Sequence, residues 1–275
     1  MQRRSVVRAL GGLALGGLAL AALPAFSLRT ARAASGGPWL GVTMEKAKAG
    51  VGVVVLHAVR GSPAAKGGVF DGDRILKVDG ASVASPADVS AKVVAKGVGG
   101  SVVLEVLRGG KLASVTATLV ARPSPEAIFR MELVGEKLPN LPPLKLVSGP
   151  GPVSYPKLDG RVVLLDLFAT WCGPCLQLGP YYHAFHAKYG NAGLTVLAVS
   201  PEDVPILSGW STKNGVGYTV AADPSDLLPV RLSAPALPSS VLVDKHGIVR
   251  DVAVGFELGQ VKRTEQLIQA LVKEP

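Results

Sequence analysis

The chain has 275 residues, enough for about two domains of ordinary size. Hydrophobic residues make up 48% and charged residues 18%, which excludes a mainly disordered chain because apolar residues suffice for packed cores. The formal net charge is +9, but residues 1–33 hold five of the 29 basic residues and no acidic one. The rest of the chain carries only +4 and has no aromatic-studded basic stripe, so the sequence does not favour nucleic-acid binding.

Residues 1–33 have the composition of an export signal. Arg3, Arg4 and Arg8 precede an apolar stretch over residues 9–23, and a small-x-small site follows at residues 31–33. The stretch is short and rich in glycine, which favours a cleaved signal over a permanent membrane span. The paired arginines resemble a twin-arginine signal, with the general secretory route as the alternative. We expect a periplasmic or otherwise extracytoplasmic protein, anchored to the membrane if the signal is retained.

Residues 36–121 predict a small, β-rich domain. A strand is expected over 51–59, followed by the turn signals Asp71-Gly72-Asp73 and Asp79-Gly80. Ser85 followed by Pro86 is typical of a helix start, which predicts a helix near 86–96. Two alternating segments, 101–108 and 112–119, predict strands that close the unit.

Four segments of this region resemble PDZ domains of the bacterial kind: Trp39-Leu40-Gly41-Val42, Gly61-Ser62-Pro63-Ala64-Ala65, Gly72-Asp73-Arg74-Ile75-Leu76 and Val78-Asp79-Gly80. The resemblance implies that a peptide adds as a strand after Val42, against the helix near 86–96. Backbone N–H groups from Leu40 to Val42 would bind its terminal carboxylate, and Gly41 would keep that approach open. Two alternatives remain. Trp39 and Leu40 are ordinary core residues, or the groove is closed by the second domain or by another copy.

The sequence predicts a proline-bearing linker over 122–137 and a second domain over 138–275. The apolar run from Val162 to Phe168 predicts a strand buried on both faces. Further strands are expected at 194–200, 218–222, 239–244 and 248–254, the last two as a hairpin. Helices are expected at 204–214 and 262–272.

The only two cysteines of the chain follow that buried strand, in Trp171-Cys172-Gly173-Pro174-Cys175. Two sulfurs on the first turn of a helix are close enough to bond, and the helix N-terminus lowers the pKa of the first thiol. A structural zinc site usually takes four ligands, and no second cysteine pair exists. We therefore predict a redox-active disulfide without a further cofactor or metal, with a metal site and an inert disulfide as the alternatives.

The second domain resembles the thioredoxin superfamily, and within it the exported TlpA- and ResA-like thiol–disulfide oxidoreductases. The resemblance rests on Leu158-Asp159-Gly160-Arg161-Val162-Val163, Phe168-Ala169-Thr170-Trp171-Cys172, Ala222-Asp223-Pro224 and Leu237-Pro238-Ser239-Ser240. It implies an α/β thioredoxin-like fold, with a central mixed sheet flanked by helices.

The resemblance also implies roles for individual residues. Cys172 would be the exposed attacking thiol, Cys175 the buried resolving thiol, and Pro238 a cis-proline facing the disulfide. Asp166 would be a buried acid that relays a proton to or from Cys175, or else an acid that only hydrogen-bonds within the sheet. The client-contacting residues would be Trp171, Gly173, Pro174 and Leu237.

The sequence therefore predicts an exported enzyme that reduces or exchanges disulfides in client proteins, with a PDZ domain that recruits clients or a partner. Gly-Pro between the cysteines resembles the reducing members of the superfamily, and maturation of c-type cytochromes is one expected pathway. A membrane thiol donor is expected to re-reduce the site, because the periplasm is oxidising. The alternatives are a PDZ scaffold with a structural or sensing disulfide, and an oxidase or isomerase that uses the same site.

Overall fold

The computed structural model describes residues 36–154 and 158–275 of the chain. The predicted export signal, residues 1–33, lies outside them. Within the two described segments, no helix has both the length and the apolar character needed to cross a membrane.

The first domain is an antiparallel sheet with two short helices. Its elements are β1 (Pro38–Trp39), β2 (Val42–Lys46), β3 (Val53–Ala58), α1 (Pro63–Gly67), β4 (Arg74–Val78), β5 (Ala81–Ser82), α2 (Pro86–Lys96), β6 (Ser101–Arg108), β7 (Lys111–Thr118) and β8 (Val120–Ala121). The main sheet has the order β2-β3-β4-β6-β7, and β5 pairs with β4. Strand β1 pairs with β8 and so joins the start of the domain to its end.

Local sequence explains the start of α2. The Ser85 side chain accepts a hydrogen bond from the backbone N–H of Asp88, and the Asp88 carboxylate accepts one from the N–H of Ser85. This capping box, with proline in the first turn, fixes where the helix begins. Val89 and Val93 lie on its buried face and pack with the sheet, so the first domain has a core of its own.

The second domain is a six-stranded mixed sheet with helices on both faces. Its elements are α3 (Pro125–Leu133), β9 (Lys145–Ser148), β10 (Val162–Leu167), α4 (Gly173–Tyr189), β11 (Leu194–Ser200), α5 (Val204–Lys213), β12 (Thr219–Ala222), α6 (Leu227–Leu232), β13 (Ser239–Val243), β14 (Val249–Val254) and α7 (Leu258–Leu271). The strand order is β14-β13-β10-β11-β12-β9. Strands β10, β11 and β12 run parallel, and the other pairs are antiparallel.

Strand β10 lies in the centre of the sheet and is buried along its whole length. Val162 and Leu164 pack in one hydrophobic cluster with residues of α4, α5 and α7. Val163, Leu165 and Leu167 pack in another cluster with residues of α3 and α6. Because successive side chains of a strand point to opposite faces, the continuous apolar run builds both layers.

The structure differs from the predicted linker over 122–137, because this segment contains helix α3. Ser124 caps the helix by accepting a hydrogen bond from Ala127 N–H, and Phe129 is buried in the core of the second domain. Arg130 forms an ion pair with Asp251 in β14. The segment is therefore part of the second domain rather than a flexible tether.

Helix α3 and the residues after it also contact the first domain. The His57 Nε2 atom lies 3.2 Å from the carboxylate of Glu132. The Arg60 backbone N–H donates to Glu132 at 3.0 Å, and its side chain donates to Met131 O and to Glu136, each at 2.7 Å. The two domains are thus joined through α3 by polar contacts as well as by the chain.

The predicted fold class is confirmed: a small β-rich domain precedes a mixed sheet flanked by helices. The hairpin of β13 and β14 is also confirmed. The last helix begins at Leu258, four residues before the predicted start at 262, because Val261 continues its buried face.

Candidate active site

A five-residue loop, 168–172, leads from the end of β10 into α4. The Phe168 N–H donates to Val199 O at 3.0 Å, and the Cys172 N–H donates to Ala169 O at 3.1 Å. Helix α4 then begins at Gly173, with Pro174 in its first turn. The two cysteines therefore lie where a central strand ends and a helix starts, a common place for sites in α/β sheets.

Cys172 and Cys175 form a disulfide, with 5.2 Å between their Cα atoms. The Cys172 sulfur caps α4 and accepts a hydrogen bond from the Cys175 N–H at 3.3 Å. A backbone donor at the positive end of a helix stabilises a thiolate at this position. The spacing noticed in the sequence thus corresponds to a formed disulfide on the first turn.

The expected difference in exposure between the two cysteines is absent from this disulfide form. Cys172 is 6% exposed and Cys175 is 5% exposed. Both sulfurs lie at the first turn of α4 in this form, so exposure alone does not distinguish an attacking from a resolving sulfur. Trp171, in contrast, is 75% exposed and is free to contact another chain.

Pro238 follows a cis peptide bond from Leu237, as predicted. The next residue, Ser239, begins β13 and pairs with Leu167, the last residue of β10. The cis-proline, which precedes β13, and the cysteine loop, which follows β10, therefore lie at the same end of two neighbouring strands. Leu237 packs between the hydrophobic clusters on the two faces of the sheet.

A cavity of about 260 Å³ adjoins the cysteine motif. Its lining is mainly apolar and includes Phe168, Trp171, Pro201, Pro235 and Leu237. Two of the predicted client-contacting residues, Trp171 and Leu237, are thus brought together at one concave surface. Such a surface can accept an apolar side chain beside the disulfide.

Asp166 is a carboxyl group inside the second domain, 3% exposed. Burial raises the pKa of Asp166 to about 7, although a hydrogen bond from the Tyr182 hydroxyl partly opposes this rise. That hydroxyl lies 3.2 Å from Oδ1 of the carboxyl group. A carboxyl group with a pKa near neutrality can gain and lose a proton under physiological conditions.

Glu202 accepts hydrogen bonds from Thr170, the residue before Trp171. The Thr170 N–H and hydroxyl donate to the two oxygens of the Glu202 carboxylate at 2.7 and 2.6 Å. The Ser200 hydroxyl also donates to this carboxylate, at 3.0 Å. These contacts tie the cysteine loop to the end of β11.

The four residues predicted to bind a peptide have different surroundings. Trp39 and Leu40 are 9% and 4% exposed, and the Trp39 side chain lines a cavity with Pro63 and Met131. Their side chains are core residues, as the alternative interpretation held. Val42 is half-buried at the start of β2.

The structure gives a reason for glycine at position 41 besides the expected one, which stays a prediction. Gly41 has φ +83°, and a Cβ atom there would lie 2.2 Å from the Cβ atom of Ser62. Packing against Ser62 therefore requires glycine, independently of any ligand. Strand β2 nevertheless lies at the edge of its sheet, near α2, which leaves the expected place for an added strand.

Three residues of the site have no signal in the sequence motifs. Tyr182 lies seven residues after Cys175, and its aromatic side chain is also typical of a packed helix face. Tyr218 belongs to the site because its ring packs against Tyr182. Tyr218 and Glu202 come from distant segments and meet the site only through the packing of the sheet. Their side chains become candidates once the fold is known.

Two family matches divide the chain. The Redoxin family matches residues 133–268, and the PDZ domain family matches residues 38–119. A solved structure described as a putative thiol:disulfide interchange protein DsbE from Chlorobium tepidum is 32% identical. The match covers 50% of this chain and 97% of that one, with a TM-score of 0.46.

Curated relatives match the second domain. The thiol-disulfide oxidoreductase ResA of Bacillus thuringiensis (strain Al Hakam) is 26% identical over 118 residues, 42% of this chain and 65% of ResA. Protein DipZ of Mycobacterium bovis (strain ATCC BAA-935 / AF2122/97) is 29% identical over 145 residues, 48% of this chain and 21% of DipZ. The chain thus spans less than two thirds of the length of these relatives.

The fold and the disulfide define the second domain as thioredoxin-like, and a domain that matches the PDZ family precedes it. The family assignment applies to this second domain, in which residues 133–268 match the Redoxin family.

Proposed function

We propose that this protein is an exported enzyme that reduces or exchanges disulfides in extracytoplasmic client proteins. The main support is the Cys172–Cys175 disulfide at the start of α4, next to the apolar cavity lined by Trp171 and Leu237. Export is supported by the composition of residues 1–33. The relatives named thiol-disulfide oxidoreductase support the reaction type.

The proposed reaction moves two electrons from the dithiol form to a client disulfide. The Cys172 thiolate attacks one client sulfur, and the other client sulfur leaves as a thiolate that takes up a proton. Cys175 then loses its proton and attacks the Cys172 sulfur of the mixed disulfide. The client leaves fully reduced, and the Cys172–Cys175 disulfide forms. A thiol donor, which we propose is a membrane protein, restores the dithiol.

We further propose that the first domain recruits clients or a partner by binding an extended peptide. Strand β2 is an edge strand, and a peptide there would gain main-chain hydrogen bonds as an added strand. The nearby helix α2 would form the other wall of the groove. The side chains that set specificity then belong to β2 and α2 rather than to the buried Trp39 and Leu40.

Trapping tests the enzymatic proposal. The Cys175→Ala variant, expressed with its export signal, should accumulate a mixed disulfide between Cys172 and a client, because resolution is blocked. The double variant with Cys172→Ala is the matched control and should form no adduct. An adduct with a protein containing Cys-x-x-Cys-His would place the enzyme in c-type cytochrome maturation. The proposal fails if no adduct forms and the purified protein reduces a model disulfide no faster than free dithiol.

Measurement of the reduction potential of the Cys172–Cys175 disulfide distinguishes a reductant from an oxidase. A reductant should have a potential near the low end of the superfamily, at roughly −270 mV, whereas an oxidase should lie at roughly −120 mV. A disulfide that exchanges with neither thiols nor disulfides would instead support the scaffold alternative.

Peptide binding tests the recruitment proposal. Labelled peptides with a free terminal carboxylate should bind the full-length protein more tightly than the same peptides with an amidated end. An excess of a bound peptide should lower client trapping without changing reduction of a small disulfide. Equal loss of both activities would contradict recruitment by the first domain.

A further inference from the structure

Asp166 lies beneath the cysteine helix without a cationic partner. Its neighbours across the sheet are Ala198 in β11 and Ser240 in β13. Within residues 36–154 and 158–275, no lysine, arginine or histidine forms an ion pair with it. An ionised carboxylate at this depth therefore depends on neutral hydrogen-bond donors.

Tyr182 provides such a donor from α4. It lies seven residues after Cys175, two helical turns along the same buried face. Its hydroxyl donates to Oδ1 of Asp166 at 3.2 Å. The edge of the Tyr218 ring packs against Tyr182, with 6.5 Å between ring centroids. One helix face thus carries both the second cysteine and the group that contacts the buried carboxyl.

We propose that Tyr182 is a positioning residue for proton transfer at Cys175: its hydroxyl holds the Asp166 carboxyl group in place and stabilises its ionised form. This inference rests on the proposed exchange function. In the resolving step, Asp166 accepts the proton of the Cys175 thiol. The Cys175 thiolate forms a bond to the Cys172 sulfur, and the bond from Cys172 to the client breaks. The proton then passes from Asp166 to solvent or to the departing client thiolate.

The surroundings of Asp166 determine whether loss of the Tyr182 hydroxyl raises or lowers the pKa of Asp166. Burial raises the pKa of Asp166, and the hydrogen bond from Tyr182 lowers it. The titratable groups that face this carboxyl are Tyr182 and Tyr218. Loss of the Tyr182 hydroxyl should therefore raise the pKa of Asp166 further and leave less carboxylate at neutral pH.

The experiment follows client release from a preformed mixed disulfide between pH 5 and 9, in single turnover. The rate of client release should rise with pH as Asp166 ionises. In Tyr182→Phe, this rise should occur about one pH unit higher than in the wild type, and at pH values below the rise the release should be about tenfold slower. Tyr181→Phe is the matched control. Tyr181 is the preceding residue, and its ring packs near Phe256, so its profile should match that of the wild type.

The same substitution in a protein that lacks the Asp166 carboxyl distinguishes a positioning role of Tyr182 from a packing role. In Asp166→Asn protein, adding Tyr182→Phe should leave the pH profile unchanged, because no carboxyl group remains to be held. The inference is overturned if Tyr182→Phe has the wild-type profile, or if it slows release equally with and without Asp166.

A spectroscopic readout keeps the inference testable if exchange itself fails. The carboxyl stretching band assigned to Asp166, identified by its loss in Asp166→Asn, should titrate at higher pH in Tyr182→Phe than in the wild type. An unchanged titration would refute the role of Tyr182. Absence of exchange with a shifted titration would refute only the proposed function.

Discussion

At the scale of single residues, Asp166 links the site to the stability of the second domain. Its pKa is about 7 in the folded protein, against 3.8 for an ordinary aspartate. Well below pH 3.8 the group is protonated in both the folded and the unfolded chain, so it has no effect. Between pH 4 and 7 the unfolded chain releases the proton first, and the free energy of unfolding falls as pH rises.

The Asp166→Asn variant should remove this pH dependence. At pH 8 its free energy of unfolding should exceed that of the wild type by an amount on the order of 4 kcal/mol, and the difference should nearly vanish at about pH 3. Denaturant unfolding of the disulfide form at both pH values measures it. A difference that does not change with pH would mean that Asp166 is not buried as a neutral acid.

The sequence motifs predict some residues of the site better than others. Cys172, Cys175 and Pro238 could be predicted because each belongs to a short local pattern. The contacts of Tyr182 with Asp166 and of Glu202 with Thr170 could not, because each joins segments that only the sheet brings together. Trp39 and Leu40 show a different limitation. They belong to a local motif, but the motif does not indicate whether their side chains are buried or exposed.

At the scale of elements, α3 is the helix that the composition of the sequence did not predict. The prolines of residues 122–127 predict a linker, yet Pro125 occupies the first turn of a helix and Ser124 is its cap. Proline is well tolerated at that position, because the first N–H groups of a helix have no partner within it. In contrast, β10 was predictable because its apolar run allows few alternatives.

Truncation of Phe129 tests whether α3 belongs to the core. Phe129 is 1% exposed within the cluster that covers one face of the sheet. Phe129→Ala should lower the free energy of unfolding by about 3–5 kcal/mol. Val230→Ala, at a position in α6 that is 73% exposed, should change it by less than about 0.5 kcal/mol. Equal effects of the two variants, measured by denaturant unfolding, would restore the linker interpretation.

At the scale of the whole molecule, the contact between the domains is polar and contains a titratable group. Partial burial disfavours the charged form of His57, but the hydrogen bonds and charges of Asp71 and Glu132 outweigh it and raise the pKa of His57. A raised histidine pKa stabilises the folded arrangement below about pH 6.5, and this contribution is lost as pH rises through the raised pKa.

The His57→Gln variant should therefore be less stable than the wild type at pH 5.5 and nearly equal to it at pH 9. The difference should be within about 1 kcal/mol, because the contacts are partly exposed. Thermal unfolding at the two pH values measures it, with His246→Gln, in an exposed turn of the second domain, as the control. A deficit that persists unchanged at pH 9 would show that the histidine contributes through packing alone.

Helix α3 bears on how the proposed recruitment of clients would work. A flexible tether would let a captured chain try many distances between the peptide groove and the disulfide, whereas a helix packed into one domain and bonded to the other restricts them. If the first domain recruits clients as proposed, a client held by its tail at β2 must reach Cys172 across a limited span. The length of chain between that tail and the client's own cysteine would then be a criterion of selection.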